Sequence, residues 1–151
     1  MNLNFINYLN NIYIMLTEYL QGIYVSDINT AFDKTIYQKY NIDIVINCTI
    51  DYGFLDFNIK KIRIPLSNDL NYHTDIKLLN QNLNKILSFI DDNYIEHNIL
   101  LCCHDGLTIS PIIVGLFISK YGKIPINQIK NMLKSKNKDI KIELNLNIFN
   151  L

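Results

Sequence analysis

Apolar residues recur along the chain with two different periods, one typical of strands and the other of helices. Residues 42–48 and 99–103 are short apolar runs, the first rich in β-branched residues, and both predict buried strands. Residues 60–64 alternate between polar and apolar and stop at Pro65, which predicts a third strand. Residues 17–25 predict a hairpin of two short strands that turns at Gln21 and Gly22.

Helical periods occupy most of the remaining chain. We expect helices over residues 31–40, 76–93 and 111–121, and two more over 126–151 joined by a lysine-rich turn. The inner face of the long helix consists of Leu78, Leu79, Leu83, Ile86, Leu87 and Ile90. Residues 2–12 suit a short amphipathic helix. Strands that alternate with helices predict an α/β domain with a central, mainly parallel sheet of about five strands flanked by helices.

Composition and charge narrow the class of protein. The 151 residues contain 49% hydrophobic and 19% charged residues, with no repeat or composition break, so we expect a single globular domain over 1–151. The formal net charge of zero argues against nucleic-acid and membrane partners. No apolar run reaches the roughly 18 residues that span a bilayer. The three cysteines fit neither a disulfide framework nor a zinc site, so we expect no metal, no cofactor and a reducing, intracellular setting.

The segment ILLCCHDGLTISP, residues 99–111, carries the candidate chemistry. A buried strand ends in Cys103, a loop with Gly106 follows, and a helix begins with Ser110 as the predicted N-cap and Pro111 as its first residue. This order directs several backbone N–H groups and a helix N-terminus at one point. Such a site binds anions and lowers the pKa of a thiol within it, so the segment predicts a phosphate-binding loop with a cysteine at its base.

The loop resembles the His-Cys-x5-Arg-Ser/Thr motif of the cysteine-dependent phosphatases in Cys103, Gly106, Thr108 and Ser110. The resemblance extends over residues 17–151, because GIYVSDINTAFD, IDIVINCTID and IRIPLSNDLNYHTDI resemble three further family segments in family order. The chain is most similar to the dual-specificity phosphatases that poxviruses package in their virions. The resemblance implies the cysteine-phosphatase fold and a location in the host cytoplasm and the virion.

The resemblance also implies roles for individual residues. Cys103 would be the nucleophile that forms a thiophosphate intermediate, Asp69 the general acid, and Ser110 would help the intermediate break down. The phosphate loop itself would comprise Cys103, His104, Asp105, Gly106, Leu107, Thr108 and Ile109. Structural roles remain open: Cys103 as a buried loop cysteine, Asp69 as an ordinary loop carboxylate beside Asn68 and Asp75, and Ser110 as a helix cap.

Two positions depart from the motif. Ile109 replaces the arginine that would hold the phosphoryl oxygens with a two-pronged fork, and loss of one preorganised donor costs roughly 100- to 1000-fold in rate. Cys102 replaces the histidine that organises the loop and helps to keep the thiol ionised. Arg63, the only arginine, lies on the strand before Pro65, and we expect no rescue from it. Asp105 does not argue against binding, since active members of the family carry an acid there.

Three hypotheses follow. The first is a catalytically inactive member, a pseudophosphatase, that binds or scaffolds a protein partner, phosphorylated or not. The second is a protein phosphatase with weak residual Cys-dependent activity, and the third is a structural dimer subunit without a phosphate site. The two replacements favour the first and the third hypothesis, and the retention of Cys103 and Asp69 favours the second. We prefer the first. The poxviral enzymes use an N-terminal helix in a homodimer, so the resemblance implies a homodimer here, with residues 1–12 as the dimerisation arm. A helix packed on its own domain remains the alternative for this segment.

Overall fold

The computed structural model describes residues 14–70 and 72–151, and the predicted helix over residues 2–12 lies outside them. Five strands form one sheet: β1 (Leu16–Leu20), β2 (Ile23–Asp27), β3 (Ile42–Asn47), β4 (Lys60–Arg63) and β5 (Asn98–Cys103). Their order is β1-β2-β5-β3-β4. β1 pairs antiparallel with β2 across the predicted hairpin, and the other three pairings are parallel. The prediction of a mainly parallel sheet of about five strands is confirmed.

In the described part of the chain, five helices connect and cover the strands: α1 (Ile28–Ala31), α2 (Lys34–Lys39), α3 (Lys77–Asn93), α4 (Ile109–Gly122) and α5 (Ile126–Lys136). A π-helical turn, Tyr72–Ile76, precedes α3. The sequence predicts a single helix over residues 31–40, but the structure has two short helices, α1 and α2, because the helix is interrupted at residues 32–33. The Asp33 carboxylate accepts the backbone N–H of Thr35 at 2.9 Å and so caps a new helix at this point.

Of the two helices predicted after residue 126, the first is confirmed as α5 and the second is wrong, since α5 is followed only by one 3-10 turn, Leu146–Ile148. The Asn145 side chain accepts the N–H of Asn147 at 3.0 Å, a local bond that competes with a longer helix. Ile140 and Ile142 are buried along the non-helical stretch before this turn. Burial of alternate side chains therefore replaces the helical period that the sequence suggested.

Apolar clusters cover both faces of the sheet. The larger one joins the sheet to α3, α4 and α5, and the smaller one packs α1 and α2 on the opposite face. β5 is central, and its residues from Ile99 to Cys103 are buried. Because successive side chains of a strand point to opposite faces, Cys103 joins the larger cluster and Cys102 the smaller one. The two adjacent cysteines therefore belong to different surroundings.

Candidate functional site

The loop between β5 and α4 lies on the carboxyl end of the sheet and packs against the end of β2. Gly106 has a φ of +66°, and a Cβ at this position would stand 2.7 Å from both the Asp27 nitrogen and the Ser26 carbonyl carbon. Only glycine tolerates both the left-handed backbone and the close approach. The backbone N–H of Ile28 also donates to the His104 carbonyl oxygen at 3.4 Å. The end of β2 therefore fixes the shape of the loop.

Cys103 lies at the base of this loop and is buried. Its Sγ accepts the backbone N–H of Ser110 at 3.4 Å. A backbone donor in the first turn of a helix, aimed at a sulfur, is the arrangement that stabilises a thiolate. In the structure, as the sequence predicts, Cys103 therefore lies beneath a backbone N–H group of the following helix.

The predicted start of this helix is wrong by two residues. α4 begins at Ile109 with Thr108 at the N-cap, and the Ile112 N–H donates to the Thr108 carbonyl oxygen at 3.3 Å. Ser110 and Pro111 thus lie inside the first turn, where the Ser110 N–H has no helical acceptor and is free to face the thiol. The Ser110 hydroxyl is buried and lies against the Cys48 thiol without the geometry of a full hydrogen bond.

A carboxylate of the chain itself occupies donors of the loop. Asp105 Oδ1 accepts the backbone N–H of Leu107 at 2.8 Å, and Oδ2 accepts the Thr108 hydroxyl at 3.3 Å. The same Oδ1 lies 3.8 Å from Cys103 Sγ. The expectation that Asp105 does not argue against binding is therefore revised: an incoming anion meets a negative charge already bonded to the loop, and it competes with Asp105 for the Leu107 N–H.

Ile109 supplies no donor at the position where the motif has its arginine. Its side chain is 2% exposed and belongs to the larger apolar cluster together with Cys103 and Ile112. The loop therefore has a buried apolar side chain at the position where the motif has its guanidinium.

Arg63 is engaged elsewhere. Its Nη1 donates to the Thr49 carbonyl oxygen at 2.6 Å, and its Nη2 donates to the Tyr52 carbonyl oxygen at 2.7 Å. The guanidinium also stacks 5.0 Å from the centre of the Phe54 ring. Arg63 thus holds the connection between β3 and β4, in agreement with the expectation that it does not replace the missing arginine.

Cys102 is buried on the opposite face of the sheet, within the cluster that contains Ile28 and Tyr37. Burial raises the pKa of its thiol to about 12, reinforced by Cys103 and opposed by Arg63. A neutral thiol at this position provides no positive charge to the neighbouring Cys103. The structure therefore gives Cys102 a packing role in place of the loop-organising role of the motif histidine.

Two residues that the sequence did not single out lie near the base of the loop. Burial raises the pKa of both Cys48 and Tyr19, and the charge of Cys103 raises each further. The Tyr19 hydroxyl is buried and has no hydrogen-bond partner among the described residues. No local motif marks these residues, because Tyr19 arrives from β1 and Cys48 from the end of β3.

The predicted acid lies on the loop before α3. Asp69 is exposed there, and its role as a general acid stays a prediction. Asp75, which competed with it in the sequence, is 4% exposed and accepts both the backbone N–H of Ser67, at 3.2 Å, and the Ser67 hydroxyl. Asp75 therefore stabilises the shape of this loop.

Residues 14–70 and 72–151 contain no helix that is long and apolar enough to cross a bilayer. Within the same two ranges, no group of three or more His, Cys, Asp or Glu side chains is placed to hold a metal ion.

Comparison with known proteins identifies the fold. No protein-family model matches the chain, and no curated protein is similar to it in sequence. The solved structure of DUSP15 is 18% identical with a TM-score of 0.76, covering 87% of this chain and 82% of that one. Human DUSP28 is 11% identical with a TM-score of 0.72, covering 85% and 84% of the two chains. Human tyrosine phosphatase-like serine/threonine/tyrosine-interacting protein is 16% identical with a TM-score of 0.69, covering 85% and 88%. At these identities the likeness concerns the fold, and the chain has the α/β fold of the dual-specificity phosphatases.

Proposed function

We propose that this protein is a catalytically inactive phosphatase-fold protein, a pseudophosphatase, that binds or scaffolds a protein partner. The observation that carries the proposal is the buried Ile109 at the position of the motif arginine. Without a guanidinium, the charge that develops on a phosphoryl group has no cationic partner in the loop. Removal of one preorganised donor costs roughly 100- to 1000-fold in rate, and a charged fork contributes at least as much.

Two further features act in the same direction. The Asp105 carboxylate, bonded to the Leu107 N–H, repels a phosphoryl group and competes for its donor. The neutral Cys102 thiol provides no cation to favour the ionised form of Cys103. Binding of the substrate and activation of the nucleophile are thus both weakened.

The surroundings of the loop support a protein partner. Tyr52, which is 42% exposed, stands edge-on to His104 with 5.1 Å between ring centres, and Ile50 is 59% exposed beside it. His104 Nε2 lies 3.2 Å from Asp51 Oδ1, which joins this apolar rim to the loop. Exposed aromatic and aliphatic side chains of this kind are typical of protein interfaces. A partner that docks on Ile50 and Tyr52 would place a phosphorylated side chain over the loop.

A structural neighbour also supports a binding role. One protein of this fold is named a phosphatase-like interacting protein. The same architecture therefore occurs in a protein that is named for interaction.

A second candidate is a protein phosphatase with weak residual activity. It is favoured by the retention of Cys103 at the base of the loop, where its Sγ accepts the Ser110 N–H at 3.4 Å, because a cysteine at this position is the nucleophile of the motif.

Turnover of a small aryl phosphate by the full chain separates the two candidates, with Cys103→Ser as the background. We expect equal rates for the two proteins. Turnover that exceeds the Cys103→Ser background would overturn the proposal and establish the second candidate.

Binding is tested separately by NMR, with a phosphotyrosine peptide and its unphosphorylated form added to the full chain. We expect shifts of Ile50, Tyr52 and loop amides with both peptides, larger with the phosphorylated one. If neither peptide shifts the amides of Ile50, Tyr52 and the loop, the result would argue against a partner site on this face.

Assembly and location belong to the same proposal. The resemblance to the poxviral virion phosphatases supports a homodimer, with residues 1–12 as the arm, and a location in the host cytoplasm and the virion.

A further inference from the structure

The outer strand β4 and helix α3 enclose a groove away from the phosphate loop. β4 pairs with β3 alone, and no other described strand lies along its outer edge. Between β4 and α3 there is a cavity of about 370 Å³, none of whose lining residues belongs to the loop from Cys103 to Ser110. We call it the β4–α3 groove. Its volume lies within the range of sites that accept side chains or small ligands.

The wall of the groove is apolar and incompletely covered. Leu78, Ile86 and Phe89 form a stripe along α3 at helical spacing, and Ile62 contributes from β4. All four are half-buried and pack against the main core. The sequence predicts Leu78 and Ile86 on the inner face of this helix, but the sheet ends at β4 and leaves their outer sides open.

The rim of the groove is positively charged. Lys85 lines it from α3, and Lys60 Nζ lies 4.8 Å above the Phe89 ring. Neither lysine has a carboxylate partner among the described residues. β4 contains no acid, and α3 contains none from Lys77 to Ile90. In a chain whose formal net charge is zero, this face therefore carries uncompensated positive charge.

We propose that the β4–α3 groove binds an extended acidic segment of a partner protein. The segment pairs along the open edge of β4 and places an apolar side chain between β4 and α3, a mode in which main-chain bonds give affinity and alternate side chains give specificity. Lysines on an edge strand repel basic strands, and they disfavour neutral ones because an ammonium group would be left at the interface without a partner. A strand with acidic side chains relieves that repulsion, because each carboxylate finds an unpaired ammonium group at the rim.

This inference goes beyond the proposed function, since it concerns a surface that shares no residue with the loop. The probe is an acetylated eight-residue peptide of alternating glutamate and isoleucine, titrated into the full chain labelled with ¹⁵N. A peptide with lysine in place of every glutamate is the charge control. We expect amide shifts along β4 and the facing side of α3 with the acidic peptide, and none there with the basic one.

Matched protein variants then test the charges. Lys60→Glu/Lys85→Glu should lower the affinity for the acidic peptide about tenfold, because two attractive charge pairs become repulsive. Lys134→Glu/Lys136→Glu makes the same charge change at exposed positions of α5 and should leave the affinity within about twofold. All four lysines are exposed, so the variants are expected to fold.

Four results would overturn the inference. These are no shift along β4, equal binding of the two peptides, equal loss in both double variants, or shifts confined to residues 103–110. A fifth result would come from sedimentation of the free chain. If the native chain is a dimer and Lys60→Glu/Lys85→Glu is a monomer, a second copy of the chain occupies the groove and the inference is overturned. The aryl phosphate assay does not involve the groove, so failure of the proposed function is seen independently.

Discussion

Replacement of Asp105 by asparagine tests whether the chain's own carboxylate keeps anions out of the phosphate loop. The amide oxygen of asparagine can still accept the Leu107 N–H that Asp105 accepts at 2.8 Å, so the loop should keep its shape while losing one negative charge. Asp105→Asn therefore changes electrostatics with little change in packing. We expect sulfate to bind the variant more tightly than the native chain.

The magnitude follows from Coulomb's law. At an effective dielectric constant of about 20 and a distance of about 5 Å, the Asp105 carboxylate repels each of the two charges of sulfate by about 3 kcal/mol. Asp105 is partly exposed, and solvent screening reduces this repulsion to about half or less. A gain of about 1.4 kcal/mol corresponds to an affinity for sulfate about tenfold higher.

The assay is an NMR titration with sulfate at constant ionic strength, which follows the amides of Leu107, Thr108 and Ser110. Asp43→Asn is the matched control. Asp43 lies near the amino end of β3, where its carboxylate contacts the His97 ring at 2.8 Å, and the phosphate loop lies at the opposite end of the sheet. This control should bind sulfate like the native chain. Equal affinities for Asp105→Asn and the native chain would refute the reasoning.

Three further predictions address the loop support, the buried thiol and the assembly. Gly106→Ala should destabilise the fold by about 3 kcal/mol in urea unfolding, because φ is +66° and the added Cβ would stand 2.7 Å from the backbone of β2; a loss below about 1 kcal/mol would contradict this packing. In the unfolded chain the Cys102 thiol ionises near its ordinary pKa of 9.0, whereas burial raises its pKa in the folded chain to about 12. The stability that Cys102 contributes is therefore fully present below pH 9. It falls by about 1.4 kcal/mol per pH unit as the pH rises from 9.0 to about 12. When the free energy of unfolding is measured at about pH 9 and at about pH 11, it should fall less for Cys102→Ala than for the native chain. Deletion of residues 1–12 should convert the expected homodimer to a monomer in sedimentation, and an unchanged mass would remove the arm from the interface.

The elements around the loop could be predicted from sequence because they are contiguous. The apolar run, Gly106 and Pro111 lie within thirteen residues, and local periodicity is enough to recognise a strand, a turn and a helix. The replacement of arginine by Ile109 is a property of one position in this motif. The sequence predicts the helix start two residues late, because Ser110 resembles an N-cap, whereas in the structure the Ile112 N–H bonds the Thr108 carbonyl oxygen and the Ser110 N–H faces Cys103 Sγ.

The sequence by itself therefore determined the fold class, the position of the loop and the loss of its cation. Tertiary structure decided how the other groups are used, since their partners are distant along the chain. Arg63 reaches the carbonyl oxygens of Thr49 and Tyr52, 14 and 11 residues away, and the groove exists because the sheet ends at β4. Asp105 is the local exception: its neighbours in sequence are its partners, but only the folded loop directs its carboxylate onto the Leu107 N–H and toward Cys103. Patterns along a chain specify which faces are buried, and packing specifies which polar groups meet.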